Sequence, residues 1–437
     1  MKKSFLVLLF VLVSCSSPNI KKPDIVLFMP DTNIEMTNEY FWIKKAKNPT
    51  KIIMTRDEID KMNKQAYSRF FQQKLSDFVP LITEYDVEKN INHIFDATFY
   101  NLDGDKIDSD LKKEIIKNID IDNEQEIQYG IVVKRVMQKY APTSQIFIRK
   151  NSSKFLDRNI VSSIDINEPV LILRETSDRQ WYFVISNHTI MGWVKAENVA
   201  LTTKSEFKKL ENFWESPTNF AVITKHNTPI FQRNNESSYY DLAEVGDAFK
   251  IIKSDNHWTS ISVPVKDYDY LTYKTMYVKT ENLHKGYVPY TSANALKLAF
   301  SFINSKYGWG GDYGEQDCSG FLVQIFKSFG IFLPRNSYSQ SNVGTNILNR
   351  TDEYSKKYSI TTKGIEGATF LYMRGHIMLY IGEIDGEPYI INSIWSFEED
   401  EKEIYAAQVV VSTLNLGRDT KRKSFIERLS SVKNVKL

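Results

Sequence analysis

Residues 307–320 read YGWGGDYGEQDCSG, and this stretch decides how the C-terminal part of the chain is interpreted. A glycine-rich turn leads to a cysteine, and apolar residues then recur at helical spacing as far as residue 329. The pattern predicts that Cys318 lies at the start of an amphipathic helix. There the positive end of the helix dipole favours thiolate over thiol, so we predict that Cys318 is a nucleophile.

The alternative for this thiol is a small buried residue without chemistry, because free cysteines often fill that role. Its sequence neighbours argue against it. Asp317, Ser319 and Gly320 surround the cysteine, whereas a core cysteine usually has apolar neighbours.

A catalytic cysteine also needs a base, and histidine has a suitable pKa. Of the six histidines, His376 alone follows the cysteine, at the start of an apolar strand-like run. Asn392 falls in the next strand-like run, and antiparallel pairing would bring it close enough to orient the imidazole. We therefore predict a catalytic set of Cys318, His376 and Asn392. Attack by the thiolate on an amide carbonyl would require neither metal nor cofactor.

The secondary structure around these residues is predicted to be helices followed by a sheet. A helix capped at Thr291 or Ser292 is expected to end near Gly308, before the helix at the cysteine. Strands are predicted over the β-branched and aromatic segments 367–370, 376–382, 389–392 and 407–414. This order indicates an α+β catalytic domain over residues 291–437.

Upstream, residues 127–290 have the pattern of short strands separated by polar turns, so few helices are expected there. The block VKAEN at 194–198 returns as VKTEN at 278–282, and each copy follows a tryptophan-bearing strand. The repetition predicts two small barrels of about five strands each, over residues 127–205 and 206–290. Both resemble bacterial SH3 domains.

The first 126 residues are predicted to contain a targeting segment, a tether and a helical domain. Residues 55–81 have helical periodicity, and Thr55 and Glu58 have capping-box spacing. An apolar run at 5–13 follows two lysines and is too short to span a bilayer. The sequence ending at Cys15 resembles the lipobox of bacterial lipoproteins.

That resemblance implies removal of residues 1–14 and acylation of Cys15. A protein exported and held by lipid on a bacterial membrane of the cell envelope is then expected, with the tether and helical domain over residues 15–126. An ordinary secretory signal cleaved nearby is the alternative.

Composition limits the class of partner. The 437 residues carry a formal net charge of only +2, which supplies no strong field for attracting nucleic acid. No nucleic-acid partner is expected, and the substrate must be inferred from the site.

Four segments together resemble the NlpC-type cell-wall cysteine peptidases: YGWGG at 307–311, DCSG at 317–320, LPRNS at 333–337 and GH at 375–376. The predicted domain order also resembles one subgroup of this family, in which a helical segment and two SH3 domains precede the peptidase. That subgroup cleaves γ-D-glutamyl to diamino-acid bonds in peptidoglycan stem peptides. The resemblance implies a multidomain protein with a papain-like α+β catalytic domain.

The same resemblance implies roles for three substrate-binding residues. The Tyr307 hydroxyl would lie near the oxyanion, together with the backbone N–H of Cys318. Asp317 and Ser319 would bind the free amino end of the stem peptide, an L-Ala. The alternative is that Asp317 only caps the helix.

One departure from the family pattern leaves other functions open. The family commonly has a second histidine where this chain has Asn392, although asparagine can also orient an imidazole. A non-catalytic peptidoglycan-binding lipoprotein with a degenerate peptidase domain is one alternative. A papain-like amidase or acyltransferase is another.

Overall fold

The computed structural model describes residues 29–66, 74–77, 84–120, 125–150, 152–188, 190–215 and 219–437. The predicted signal segment and Cys15 lie outside these residues, so the lipid anchor stays a prediction. Within the described ranges no helix combines the length and the apolar character needed to cross a bilayer.

Helices occur mainly at the two ends of the chain. Those within the described residues are α1 (Glu39–Lys45), α2 (Arg56–Ala66), α3 (Glu84–Phe95), α4 (Ser109–Ile119), α5 (Lys204–Glu215), α6 (Ser292–Phe300), α7 (Cys318–Lys327), α8 (Ser337–Gln340), α9 (Glu353–Lys363) and α10 (Phe425–Arg428).

The middle of the chain forms two strand-built units. The first has β1 (Gln128–Val132), β2 (Val136–Lys139), β3 (Ile160–Ile164), β4 (Pro169–Glu175), β5 (Trp181–Ser186), β6 (Met191–Lys195) and β7 (Val199–Thr202). The second has β8 (Phe220–Ile223), β9 (Thr228–Phe231), β10 (Tyr239–Ala243), β11 (Ala248–Ser254), β12 (Trp258–Asp267), β13 (Tyr270–Lys279) and β14 (Leu283–Lys285).

Each unit is built from antiparallel ladders. The first is ordered β7-β1-β4-β5-β6-β2-β3, and the second is ordered β14-β8-β11-β12-β13. In the second unit β9 also pairs with β13, and β10 pairs with β9. One parallel pair, Leu201 with Tyr270, joins the two units. Each unit thus has seven strands rather than the five expected, because short strands such as β2 and β14 have too few residues to show alternation.

The repeated sequence block has the same structure in both units. In each, a strand ends in a single 3₁₀ turn, Ala196–Asn198 or Thr280–Asn282, and a further strand follows. The lysine before each turn also lies over the tryptophan that begins a neighbouring strand. Lys195 is 4.2 Å from the Trp181 ring centroid and Lys279 is 4.3 Å from that of Trp258. The equivalent contacts support the prediction of an internal duplication.

The C-terminal unit has a six-stranded antiparallel sheet ordered β15-β20-β16-β17-β18-β19. Its strands are β15 (Thr345–Asn346), β16 (Thr369–Met373), β17 (His376–Ile384), β18 (Glu387–Glu399), β19 (Lys402–Thr413) and β20 (Ser431–Asn434). Helix α7 packs against β17 and β18.

The core beneath α7 fixes this helix on the sheet. Phe321 and Leu322 are fully buried and share a cluster with Phe370 and Ile377 of the sheet. Burial of each such side chain contributes about 1.5–3 kcal/mol. The α+β class predicted for this region is confirmed.

Residues 15–126 were expected to form one helical domain, but their described helices contribute to two different cores. Trp42 of α1 and Ile59 of α2 belong to the cluster under α7. Ile91 of α3 and Ile119 of α4 belong to the cluster of the first barrel. The domain boundaries given above remain predictions.

The predicted helix limits agree with the structure only in part. The Thr55–Glu58 capping box is present, with the Thr55 N–H donating to the Glu58 carboxylate at 2.7 Å, and α2 covers Arg56–Ala66. Residues 67–73 of the predicted helix lie outside the described residues, and Lys74 is not helical. Helix α6 is capped by Thr291 as expected and ends at Phe300 rather than near Gly308. Helix α5, between the barrels, was not among the predicted elements, although few helices rather than none were expected there. Periodicity predicts where an amphipathic helix exists better than where it ends.

Candidate active site

Cys318 lies at the first position of α7, as the sequence predicts. The Asp317 side chain caps the helix, since its Oδ1 accepts from the Gly320 N–H at 2.7 Å. The turn before the cysteine needs glycines, because Gly310 and Gly311 have φ values of 62° and 100°. A Cβ on Gly310 would also lie 2.6 Å from a methyl carbon of Ile160. The first barrel therefore approaches the loop before the thiol very closely.

His376 begins β17, directly after the tight turn at Gly375. Its Nε2 lies 2.8 Å from Oδ1 of Asn392, which is fully buried on the adjacent strand β18. An amide oxygen only accepts, so Nε2 carries the proton and Nδ1 keeps its lone pair. The structure thus brings Asn392 to the imidazole and leaves Nδ1 able to act as a base.

The thiol and the imidazole line one cleft of about 230 Å³. Aromatic side chains form much of its wall, among them Tyr307, Trp309 and Trp395. The rings of Tyr307 and Trp395 are in edge contact, with centroids 5.8 Å apart. Charged side chains, among them Arg374 and Glu398, also line the cleft, so its wall combines aromatic and polar surface.

The pKa values of the two reactive groups reflect their burial. Burial and the nearby Asp317 charge raise the pKa of Cys318 to about 12, although the Ile377 and Ser319 N–H groups oppose them. Burial lowers the pKa of His376 to about 4. The N–H of Ser319 at the helix start favours the thiolate as expected, but burial and the Asp317 charge outweigh it and favour the thiol. Thiol and imidazole are both neutral here.

Tyr307 lies beside the thiol and lines the same cleft. Burial, followed by the nearby Cys318, raises the pKa of its phenol well above the ordinary value. The hydroxyl therefore stays protonated and can donate a hydrogen bond, as stabilisation of an oxyanion would require.

Asp317 and Ser319 form a network with Arg335. The guanidinium binds both oxygens of the Asp317 carboxylate, at 2.9 and 2.8 Å, and also donates to the Ser319 hydroxyl at 2.9 Å. Burial alone would raise the pKa of Asp317, but Arg335 and the hydrogen bonds hold it below its usual range. The carboxylate is thus ionised and already paired. Arg335 lies in the LPRNS segment at 333–337, where nothing in the local sequence indicates this role.

The first barrel contributes directly to this region. Ser162 of β3 accepts from Nε of Arg335 at 3.0 Å. Arg158, just before β3, lies over the Trp309 ring with its guanidinium carbon 4.1 Å from the centroid. The roles of Ser162 and Arg158 could not be recognised from the sequence, because both residues act through contacts between segments that are far apart in the chain.

At its other end, α7 is bound to both barrels. The Lys327 ammonium lies 3.2 Å from Asp165 and 2.6 Å from Glu168 of the first barrel, and 3.0 Å from Asp247 of the second. Burial would lower the pKa of Lys327, but the three carboxylates raise it well above the ordinary value. A buried ammonium is stabilised by such pairing.

Another buried contact joins the second barrel to the loop that precedes Cys318. His226 lies between two carboxylates, 2.9 Å from Glu244 and 3.1 Å from Glu315. Burial opposes protonation of this ring, but the two carboxylates raise the pKa of His226 to about 9. At neutral pH it is an imidazolium that links the second barrel to the residues preceding Cys318.

Comparisons with known proteins agree with this architecture. A family model described as the NlpC/P60 family matches residues 304–399, and one described as an SH3 domain of the SH3b1 type matches residues 148–195. No curated protein sequence matches the chain significantly.

The chain is also similar to solved structures. An NlpC/P60 endopeptidase from Photobacterium damselae subsp. piscicida is 19% identical, with 91% of this chain and 96% of that chain covered and a TM-score of 0.73. An NlpC/P60 family protein from Bacillus cereus is 17% identical, with 71% of this chain and 100% of that chain covered and a TM-score of 0.49. The first of these likenesses extends over almost the whole chain, including the barrels. The chain therefore contains a region that matches the NlpC/P60 family over residues 304–399, with a region that matches an SH3 domain of the SH3b1 type upstream of it.

Proposed function

We propose that this protein is a cell-wall cysteine endopeptidase that hydrolyses γ-D-glutamyl to diamino-acid amide bonds in peptidoglycan stem peptides. The observation that carries the proposal is the 2.8 Å contact between His376 and Asn392, which leaves Nδ1 as a base in the cleft that Cys318 lines. The match of residues 304–399 to a family of cysteine peptidases supports it independently.

The mechanism follows from the neutral state of both groups. As Sγ of Cys318 attacks the amide carbonyl, Nδ1 of His376 takes the thiol proton, because the separate pKa values disfavour a preformed ion pair. The carbonyl oxygen becomes negatively charged and meets the Cys318 N–H, which as the first N–H of α7 has no intrahelical partner. The Tyr307 hydroxyl is a second donor.

The imidazolium then completes the reaction. It gives its proton to the leaving amine, which departs and leaves a thioester on Cys318. The neutral imidazole next takes a proton from water, and the resulting hydroxide equivalent attacks the thioester. Release of the acid restores the thiol. Asn392 holds the ring in one orientation throughout.

Recognition of a free L-Ala amino end by Asp317 and Ser319 belongs to the proposal. The Asp317 carboxylate is ionised, as ammonium binding requires. Because Arg335 already pairs with it, an incoming ammonium would share the carboxylate rather than neutralise an isolated charge. The contribution of this contact to the binding free energy should therefore lie at the lower end of the range for a buried hydrogen bond between charged groups.

The remaining part of the proposal is the location. A lipid on Cys15 would hold the enzyme on a bacterial membrane, within reach of peptidoglycan. The expected lipobox and the short apolar run before it support this placement.

The decisive experiment is mass analysis of defined stem peptides incubated with the purified full-length protein, with Cys318→Ala as the inactive control. Products cut between γ-D-Glu and the diamino acid are expected. Binding of peptidoglycan without any cleavage would favour the degenerate peptidase. Cleavage or acyl transfer at another amide would favour the amidase or acyltransferase.

A further inference from the structure

A second cavity lies at the opposite end of the C-terminal sheet from the catalytic cleft. Its volume is about 310 Å³, which exceeds the volume of about 230 Å³ of the cleft. Residues 362–366, which precede β16, line this cavity, whereas Met373 at the end of β16 lines the cleft. Successive residues of a strand are about 3.3 Å apart, so β16 separates the two sites by about 13 Å. The cavity is therefore distinct from the site of catalysis.

The lining of this cavity is rich in lysine. Four lysines line it, and Glu366 is the one carboxylate among its described lining residues. Glu366 is itself buried, which raises the pKa of its carboxyl. The lining thus carries an excess of positive charge. We refer to the cavity as the basic pocket, and its lysines are Lys47, Lys51, Lys363 and Lys436.

The positive charge of the basic pocket is not neutralised within the described part of the chain. Among the described residues, no carboxylate forms an ion pair with any of the four ammonium groups. The Lys47 ammonium instead donates to the carbonyl oxygen of Thr361 at 2.5 Å. Lys47, Lys51 and Lys363 are exposed, so a ligand can reach them from solvent. Like charges repel one another, and an anion bound among them would relieve that repulsion.

An acidic turn at the same end of the sheet lies outside the pocket. It joins β17 to β18 and contains Glu383, Asp385 and Glu387, none of which lines the pocket. Glu387 is already paired, since the Lys357 ammonium lies 2.7 Å from it. An anion in the pocket would therefore contact the lysines rather than this turn.

The described chain begins at the same end of the sheet as the basic pocket. The Tyr389 hydroxyl donates to the carbonyl oxygen of Asp31 at 3.1 Å. Tyr389 pairs with the end of β17 that lies opposite His376, about 20 Å away along the strand. Met29 is buried in one cluster with Ile360 of α9, the helix whose last residues line the pocket. The pocket and the beginning of the described chain thus lie together, opposite the catalytic base.

We propose that the basic pocket binds phosphates of anionic lipid headgroups and thereby holds the catalytic cleft facing away from the membrane, toward peptidoglycan. The inference adds to the proposed function and uses its lipid anchor, because Met29 is 14 positions after Cys15. A segment of that length spans at most about 50 Å, so the pocket stays close to the bilayer. Phosphates at an anionic membrane surface attract lysine, which raises binding about fivefold for each lysine near the surface.

The test measures binding of the full chain to lipid vesicles. The chain carries Cys15→Ala, so that no acyl group holds it on the bilayer. We expect the partition coefficient for vesicles of equal parts phosphatidylcholine and phosphatidylglycerol to exceed that for phosphatidylcholine alone at least about 100-fold. The difference should shrink as the salt concentration rises, because salt screens the charges at the membrane surface.

Paired substitutions identify the pocket as the contact. Lys51→Gln with Lys363→Gln should lower partitioning into the anionic vesicles roughly 30-fold. The hydrogen bonds described for these two lysines use backbone atoms, so the fold should not change. The matched control is Lys402→Gln with Lys421→Gln, which removes the same charge from exposed lysines outside the pocket. It should leave partitioning unchanged.

Soluble glycerol phosphate distinguishes a free phosphate ester from a lipid headgroup. We expect it to displace the protein from anionic vesicles only in large excess, because a single phosphate lacks the charge density of a bilayer surface. Binding of glycerol phosphate that depends on Lys51 and Lys363, without a preference for anionic vesicles, would overturn the assignment to lipid. Equal partitioning into both kinds of vesicle, or equal losses in the two paired variants, would overturn the inference as a whole.

The orientation of the cleft is tested separately. The measurement is kcat/KM of the Cys15→Ala chain on a soluble stem peptide, with and without anionic vesicles. Equal values are expected, and a loss of cleavage on vesicles would show that the cleft faces the bilayer. If the peptide is not cleaved even without vesicles, the proposed function fails, whereas vesicle partitioning still decides whether the pocket binds lipid.

Discussion

Replacing Asn392 with alanine tests whether an amide can orient the catalytic base. The substitution removes the oxygen that accepts from His376 Nε2 at 2.8 Å. The imidazole then loses its preference for one tautomer, and Nδ1 no longer carries the free lone pair in every molecule. Nucleophile and base both remain, so turnover should fall without being abolished.

The size of the effect follows from burial. Asn392 is fully buried, so the substitution leaves the ring N–H without a partner in a site shielded from water. An unsatisfied buried donor costs about 1–3 kcal/mol. If that cost appears in the transition state, kcat should fall roughly 5- to 150-fold. Asn392→His should retain activity, because an imidazole nitrogen can accept the same hydrogen bond.

The assay is kcat and KM on a defined stem peptide for wild type, Asn392→Ala and Asn392→His. Ser412→Ala is the matched control, since Ser412 is fully buried on the neighbouring strand β19 and its hydroxyl has no partner among the described residues. An unchanged kcat in Asn392→Ala would show that another group orients His376. A wild type without activity, together with activity in Asn392→His, would support the degenerate peptidase.

Four further results are expected. Cys318→Ala and His376→Ala should each lower kcat on the order of 10⁵-fold, with the double variant no worse, and full activity in either would refute the assignment. Because burial lowers the pKa of His376 from 6.5 to about 4, the base stays unprotonated in mild acid, and the acid limb of kcat/KM should lie well below pH 6.5; a limb at pH 6.5 contradicts this. Cys15→Ala should move the protein from the membrane fraction to the soluble fraction. Acetylating the L-Ala amine should cost about 2 kcal/mol, roughly 30-fold in kcat/KM, and equal rates would exclude Asp317 as its receptor.

Local patterns predicted the positions of Cys318, His376 and Asn392 in the fold. A polar turn followed by helical periodicity placed Cys318 at a helix start, and alternating strands placed His376 and Asn392 on neighbouring strands. Both inferences depend on residues close together in sequence, where spacing determines geometry.

The environment of these residues could not be predicted in the same way. The rule that a helix start favours thiolate is local, whereas the raised pKa of Cys318 depends on the burial that the folded sheet imposes. The pairing of Arg335 with Asp317 and Ser162 joins three distant segments. Helix α5 was not predicted because the segments on both sides of it are rich in strand-forming residues.

The buried Lys327 ammonium has a consequence for how substrate reaches the thiol. Helix α7 has ten residues and is about 15 Å long, with Cys318 at its first position and Lys327 at its last. A barrel that swung aside as a hinged lid would have to separate an ammonium from carboxylates in a site shielded from water. Hinged opening of the barrels is therefore disfavoured, and a substrate has to reach the thiol while both barrels remain bound to α7.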